Sequence, residues 1–204
     1  MNNGMPTFEP IARDLRDRGF SLCTEFLPAA TVAALRAEIV AAGNDFRAAG
    51  IGRDRDFQQD LEVRSDRIRW LDPQRPAQRD FLQRMDALRL FLNQQLLLGL
   101  FDYEAHFAHY DPGARYQCHR DTFASQGDRK PRRVVSSVSY LNADWMPDEG
   151  GELVIYDGTE RELTRVLPVA GAAVFFLSEE FPHEVLAATR ARYSIAGWFR
   201  QRGG

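Results

Sequence analysis

Apolar residues recur at helical spacing through the first half of the chain, then fall into short strand-like runs through the second. In "FEPIARDLRDRG" (8–19), Phe8, Ile11, Ala12 and Leu15 form one stripe that Gly19 is placed to end. "GFSLCTEFL" reads as a strand, and "PAATVAALRAEIVAAG" (28–43) as a helix with Pro28 near its start and Gly43 at its stop. Residues 44–70 read as a charged, irregular connection ending in "VRSDRIRW". A third helix is expected over about 77–99, with Phe81, Met85, Leu88 and Leu92 on the stripe that packs against a sheet.

From Phe101 onward, runs of six to ten residues are separated by turn signals such as "DPG" (111–113), "NADWMPDEGG" (142–151) and "DGTE" (157–160). Short strands at this spacing predict a β-sandwich or barrel, and helices placed before strands predict helical support on one of its faces. The expectation is therefore an α+β protein, mostly β. It has one structural domain overall, with a helical support region at 1–100 and the barrel at 101–204.

Alternation along two strands separates their faces. In "RYSIAGWF" (192–199), Tyr193, Ile195, Gly197 and Phe199 suit burial against helices. Arg192, Ser194, Ala196 and Trp198 point the other way. In "VVSSVSYL" (134–141) the matching set is Val134, Ser136, Val138 and Tyr140. A lumen carrying Ser, Tyr and Arg is not an ordinary core; it has the character of an anion pocket.

Composition narrows the function classes. The 204 residues are 44% hydrophobic with a formal net charge of -3, so no bulk attraction to nucleic acid or to an anionic membrane is expected. The most apolar stretch, "LRLFLNQQLLLGLF" (88–101), is too short and too polar to span a bilayer. Two cysteines are too few for a disulfide framework, and "MNNGMPTFEP" lacks the pattern of a signal peptide. A reducing, cytoplasmic setting is the expectation.

The candidate chemistry begins in "YQCHRDTF" (116–123). His119 and Asp121 stand two apart on a strand-prone run, so imidazole and carboxylate project to one face as neighbouring ligands of a metal would. His-x-acid arises by chance about 0.6 times in a chain of this composition, so the pair needs further support. A third ligand could come from His106, His109 or His183. His183 follows a strong strand, and Pro182 fixes the backbone just before it. His106 and His109 read better as structural or surface residues. Two histidines and one carboxylate leave open positions and suit non-haem Fe(II), whereas a structural zinc site favours a closed tetrahedron with thiolates. Arg192, on the strand after His183, faces the lumen and calls for an anionic partner.

Taken together, "HRD" (119–121), "SYLNADW" (139–145), "GGEL" (150–153) and "FPHEVLAATRARYSIAGWF" (181–199) resemble the Fe(II)/2-oxoglutarate dioxygenases. The resemblance is to their prolyl 4-hydroxylase branch, and within it to bacterial homologues of the hypoxia-inducible-factor prolyl hydroxylases. It extends upstream to "VRSDRIRW" (63–70) and covers about residues 60–200. It implies a double-stranded β-helix (jelly-roll) fold, with Fe(II) on His119, Asp121 and His183. 2-Oxoglutarate is implied on Arg192, Tyr140 and Tyr110, with O2 as co-reactant and L-ascorbate as reductant. Tyr110 lies one residue closer to the first histidine than in the animal enzymes. Arg64, Asp66 and Trp70 match the stretch that shapes the substrate entrance, Arg133 matches a rim arginine, and Trp198 a wall residue. Arg64 and Asp66 also read as an ion pair pinning the long loop.

The activity implied is hydroxylation of a proline in a protein or peptide, with a translation factor or ribosomal protein as the kind of target expected. The segments 44–69 and 123–133 flank the expected opening and could order over a peptide strand. Rival readings are hydroxylation of a small molecule such as a free amino acid, nucleic-acid demethylation, a zinc hydrolase, and a non-catalytic cupin-like binding module. The net charge opposes demethylation. The complete ligand set together with Arg192 opposes the last two.

Overall fold

Helix α1 (Glu9–Arg18) buries the stripe Ile11, Ala12 and Leu15, and the chain leaves it through Gly19 at φ 77°, whose N–H donates to the Leu15 carbonyl at 3.0 Å. A side chain at Gly19 would also strike the Phe181 ring, so the stop and the packing both require glycine. Helix α2 (Ala29–Ala41) buries Val32, Leu35 and Ile39. Its Glu38 carboxylate accepts from the Ala77 N–H at 2.9 Å and the Gln78 side chain at 2.8 Å, tying it to the start of helix α3 (Pro76–Leu96). At the other end of α3, the Asn93 side chain bonds both the N–H and the carbonyl of Leu100, each at 2.8 Å. The polar break in that apolar stretch thus fastens helix to sheet. The structure, a computed structural model, describes residues 7–41, 43, 45–50, 63–122 and 131–203.

Among the described residues, eleven strands form two antiparallel sheets. In chain order they are β1 (Phe20–Cys23), β2 (Arg47–Ala48), β3 (Arg67–Trp70), β4 (Leu100–Tyr110), β5 (Tyr116–His119), β6 (Arg132–Tyr140), β7 (Leu153–Tyr156), β8 (Glu162–Val166), β9 (Ala173–Leu177), β10 (His183–Val185) and β11 (Arg192–Gln201). The larger sheet runs β1-β9-β6-β11-β4-β3-β2 and the smaller β5-β10-β7-β8. This is the double-stranded β-helix expected from the sequence.

The alternation in β11 sorts as the sequence predicts, and in β6 Val138 and Tyr140 face the second sheet as expected. Val134, near the start of β6, instead packs with Val135 on the helix-side core and does not face the lumen. Ile195 and Phe199 join Phe107, Val135 and Phe175 in a core shared with Leu15, Leu35, Phe81, Met85 and Leu88 of the helices. On the opposite face, Tyr110, Tyr140, Val174 and Phe176 pack with Leu153, Ile155, Phe181 and Val185 between the two sheets. No helix among the described residues is long and apolar enough to cross a membrane.

One segment differs from expectation. The connection 44–70 contains β2 and β3, and β3 pairs with β4 from Arg67↔His109 to Trp70↔His106. Its alternation was obscured because Arg67 and Arg69 occupy one face. On the other face, Ile68 and Trp70 line the central cavity. The expectation that 44–69 and 123–133 order over a peptide falls largely on residues 51–62 and 123–130, which lie outside the described residues.

Candidate metal centre

Strands β5 and β10 bring the first and last candidate ligands together as directly opposed partners, His183↔His119. The His119 Nδ1 lies 2.8 Å from the Gln117 carbonyl and the His183 Nδ1 3.1 Å from the Phe181 carbonyl. Each ring therefore commits its Nδ1 proton to backbone and leaves the Nε2 lone pair free to bind metal. The His119 Nε2 stands 3.7 Å from Asp121 Oδ1 and the His183 Nε2 3.6 Å from Asp121 Oδ2. One ligand atom from each residue lies within 4.8 Å of the others. This is close enough for a single ion to touch all three, since N and O ligands sit about 2.1 Å from such a metal.

The electrostatics fit the same role. Burial, helped by neighbouring His183, pushes His119 down to about 3, keeping it a neutral donor. Burial alone would raise Asp121, but His183, His119 and Arg133 hold its carboxyl below the ordinary range, so it stays anionic. Two imidazoles with one carboxylate, on one wall of an open cavity, form the donor set that suits Fe(II) with further positions free.

That cavity, of about 510 Å³, lies between the sheets. It is lined by His119, Asp121, His183, Arg192, Tyr110, Arg64, Asp66, Trp70, Arg133 and Trp198, so ten of the eleven residues singled out in the sequence meet there. The eleventh, Tyr140, is fully buried, with its ring 5.3 Å from the Arg192 guanidinium carbon.

Arg192 is 1% exposed and, among the described residues, has no carboxylate partner. Its Nε donates to the Gly151 carbonyl at 2.9 Å and its Nη1 to Ser194 Oγ at 3.2 Å. Its Nη2 is buried without a partner, and so is the Tyr140 hydroxyl. Burial raises the Tyr140 phenol to about 12, against the pull of the Arg192 charge, so the phenol stays protonated and able to donate. The Tyr110 ring lies 5.0 Å from the same guanidinium. Buried donors left unpaired around a fixed cation call for an anion.

The entrance candidates divide by structure. Arg64 and Asp66 form a two-pronged ion pair at 2.6 and 3.0 Å, with Asp66 buried, and Arg64 also donates to the Gly50 carbonyl at 3.2 Å. Trp70 is 52% exposed and meets His106 edge-on at 5.3 Å, while His106 lies 5.4 Å from Trp198. Arg133 covers the Trp198 ring at 3.5 Å and pairs with Glu104 at 3.2 Å. His106 is buried and lines the cavity without being a ligand, whereas His109 stacks on Tyr193 at 4.3 Å.

Sequence reasoning overlooked Tyr116, whose ring stacks on His119 at 3.6 Å and 16° and lies under the Arg64 guanidinium at 4.6 Å. Strict two-residue alternation from His119 passes over Tyr116. A bulge between β5 and β10, where Val185 faces Tyr116, breaks that alternation. Gly151, which anchors Arg192, was visible only as part of "GGEL".

Comparison with known proteins agrees with this geometry. The pattern of the 2OG-Fe(II) oxygenase superfamily matches residues 105–200. The chain is 43% identical to a prolyl-4-hydroxylase from Pseudomonas putida, covering 96% of this chain and 100% of that one with a TM-score of 0.85. A prolyl hydroxylase from Trichoplax adhaerens, solved with a hypoxia-inducible-factor oxygen degradation domain peptide, shares the fold. It has a TM-score of 0.79 and 23% identity, over 94% of this chain and 87% of that one. A hypoxia-inducible factor prolyl hydroxylase from Caenorhabditis elegans is 33% identical over 92 residues, 44% of this chain. The chain spans 12% of the length of that curated relative. The two histidines and aspartate of the iron site and the full-length match to a bacterial enzyme lead to one conclusion: this chain belongs to the 2OG-Fe(II) oxygenase superfamily, in its prolyl 4-hydroxylase branch.

Proposed function

We propose that the chain hydroxylates a proline within a peptide or protein, with 2-oxoglutarate held at its far carboxylate by Arg192, Tyr140 and Tyr110. The observation that carries the cosubstrate reading is Arg192, among the described residues a buried cation lining the iron cavity without a carboxylate partner and with its Nη2 unpaired, beside the buried Tyr140 phenol. Guanidinium N–H and phenol O–H are the donors a carboxylate accepts from, and the Gly151 and Ser194 bonds fix the Arg192 fork before any ligand arrives.

His119, Asp121 and His183 would hold Fe(II), which supplies the activation of O2 that couples conversion of 2-oxoglutarate to succinate and CO2 with hydroxylation. The remaining tasks belong to the chain. Arg192 and Tyr140 set the depth and direction of the cosubstrate. Leu153, Val185, Val138 and Ala196 give the lining apolar surface that excludes water. The half-exposed Trp70 supplies a flat face at the mouth against which a proline ring can pack, while Trp198, buried beneath Arg133, forms part of the wall. Arg64 and Asp66 hold the adjoining segment in place. The half-exposed Trp70 and the peptide carried by the Trichoplax relative support an extended peptide as substrate class, with a translation factor or ribosomal protein as the kind of target.

The deciding experiment compares hydroxyproline across the proteome of a wild-type strain and of one lacking this chain. A protein proline that loses a +16 Da modification in the deletion supports the proposal. An unchanged proteome, with purified enzyme hydroxylating a free amino acid instead, replaces the peptide with a small molecule.

A further inference from the structure

Among the described residues each of the three iron ligands has a hydrogen-bond partner outside the site, and for Asp121 that partner is a side chain. The two histidines lean on the backbone carbonyls of Gln117 and Phe181. Asp121 Oδ2 instead lies 2.7 Å from Ser136 Oγ, and Ser136 Oγ lies 2.8 Å from Ser178 Oγ. An ionised carboxylate can only accept, so the Ser136 proton must point at Asp121. With that proton committed, Ser136 can only accept from Ser178, which fixes the direction of both bonds. Both serines are buried, at 1% and 0% exposure, so bulk water does not compete for them.

Both hydroxyls sit on rigid sheet. Ser136 lies within β6, between Trp198 of β11 and Phe176 of β9. Ser178 directly follows β9, and its own N–H donates to the Val134 carbonyl at 3.0 Å. Asp121, in contrast, lies beyond the last residue of β5 and has no ladder to hold it. We propose that Ser136, oriented by Ser178, is the positioning residue of the iron site: the ordered pair of hydroxyls fixes the rotation of the Asp121 carboxylate and so sets the metal affinity of all three ligands. Outer-shell partners of metal ligands typically change affinity by about 10- to 100-fold when removed.

The test is Mn(II) titration of the full chain, following free Mn(II) by electron paramagnetic resonance, alongside the thermal midpoint of each metal-free variant. Ser136→Ala should weaken Mn(II) binding by about 10- to 100-fold and broaden the bound-metal spectrum. Ser136→Thr, which keeps the hydroxyl, should restore both. Ser178→Ala should weaken binding less, and in the Ser136→Ala background should add nothing to the loss. Ser136→Ala that lowers the metal-free midpoint yet binds Mn(II) with wild-type affinity and spectrum would overturn the proposal, leaving Ser136 a packing residue. Full additivity of the two alanines would overturn the ordered relay. Wild-type chain that fails to bind Mn(II) would overturn the metal centre itself, and the proposal with it.

Discussion

His119 and His183 stand opposite one another on β5 and β10, with ring centroids 4.3 Å apart and each Nδ1 turned to a backbone carbonyl. That pairing turns both Nε2 atoms toward Asp121 and makes the metal centre a product of sheet register. Removing either ring, or the carboxylate, deletes a ligand from a three-ligand site. His183→Ala and Asp121→Ala should each weaken Fe(II) binding by more than about 100-fold, beyond the range seen for outer-shell changes, and abolish 2-oxoglutarate turnover. Metal titration and succinate release check this, and full activity in either variant would refute the ligand assignment.

The second prediction concerns the anion pocket. Truncating one partner of a buried charge pair typically costs at least about 2 kcal/mol, or roughly 30-fold. Arg192→Ala should therefore raise the KM for 2-oxoglutarate by roughly 30-fold or more, and Tyr140→Phe by a smaller factor of about 3 to 10, as expected for one hydrogen bond. Steady-state kinetics read both values. An unchanged KM in Arg192→Ala would move the carboxylate site elsewhere.

Gly151 links stability to that pocket. Its backbone sits at φ 75°, and a Cβ there would lie 2.9 Å from the Ala188 Cβ and 3.3 Å from the Arg192 Cδ, while its carbonyl accepts from the Arg192 Nε. Gly151→Ala should cost about 1–3 kcal/mol of stability, from backbone strain and crowding, and should also raise the KM for 2-oxoglutarate. Chemical denaturation and kinetics on the same sample check the pair of effects. A destabilised variant with a wild-type KM would show that Arg192 is held by other contacts.

His106 should leave a signature in the pH dependence of stability. Burial, with the Arg64 and Arg133 charges nearby and Asp66 opposing them, pushes it down to about 4. An unfolded histidine titrates near about 6.5, so acid protonates the unfolded chain first. The stability this neutral histidine permits is fully present above about pH 6.5 and is lost as the pH falls toward about 4. Between pH 7 and pH 5 the wild type should lose about 2 kcal/mol more than His106→Gln in chemical denaturation. Equal losses would mean that His106 is hydrated in the folded protein.

Much of this was legible in the sequence because periodicity and burial agree. Ile195 and Phe199 of β11 face the helices, while Arg192, Ser194, Ala196 and Trp198 line the cavity, as their alternation requires. The helical stripes Ile11/Leu15 and Phe81/Met85/Leu88 likewise reach the core. What escaped notice depends on register. The arginines of β3 gave a half-buried strand the look of a charged loop. The bulge that stacks Tyr116 on His119 breaks the two-residue period from which His119 and Asp121 were first picked out. Ser136 could be placed in the lumen by alternation, yet its bond to Asp121 and the contribution of Ser178 require the neighbouring strands β6 and β9 in place.

The most direct test is anaerobic addition of Fe(II) to the full chain in the presence of 2-oxoglutarate, followed in the visible. Iron clasped by His119, Asp121 and His183 beside a bound 2-oxoacid should give a weak charge-transfer band that saturates at a single equivalent of metal and vanishes in His183→Ala. A colourless wild-type mixture, or a band that survives loss of His183, would contradict the arrangement on which the rest depends.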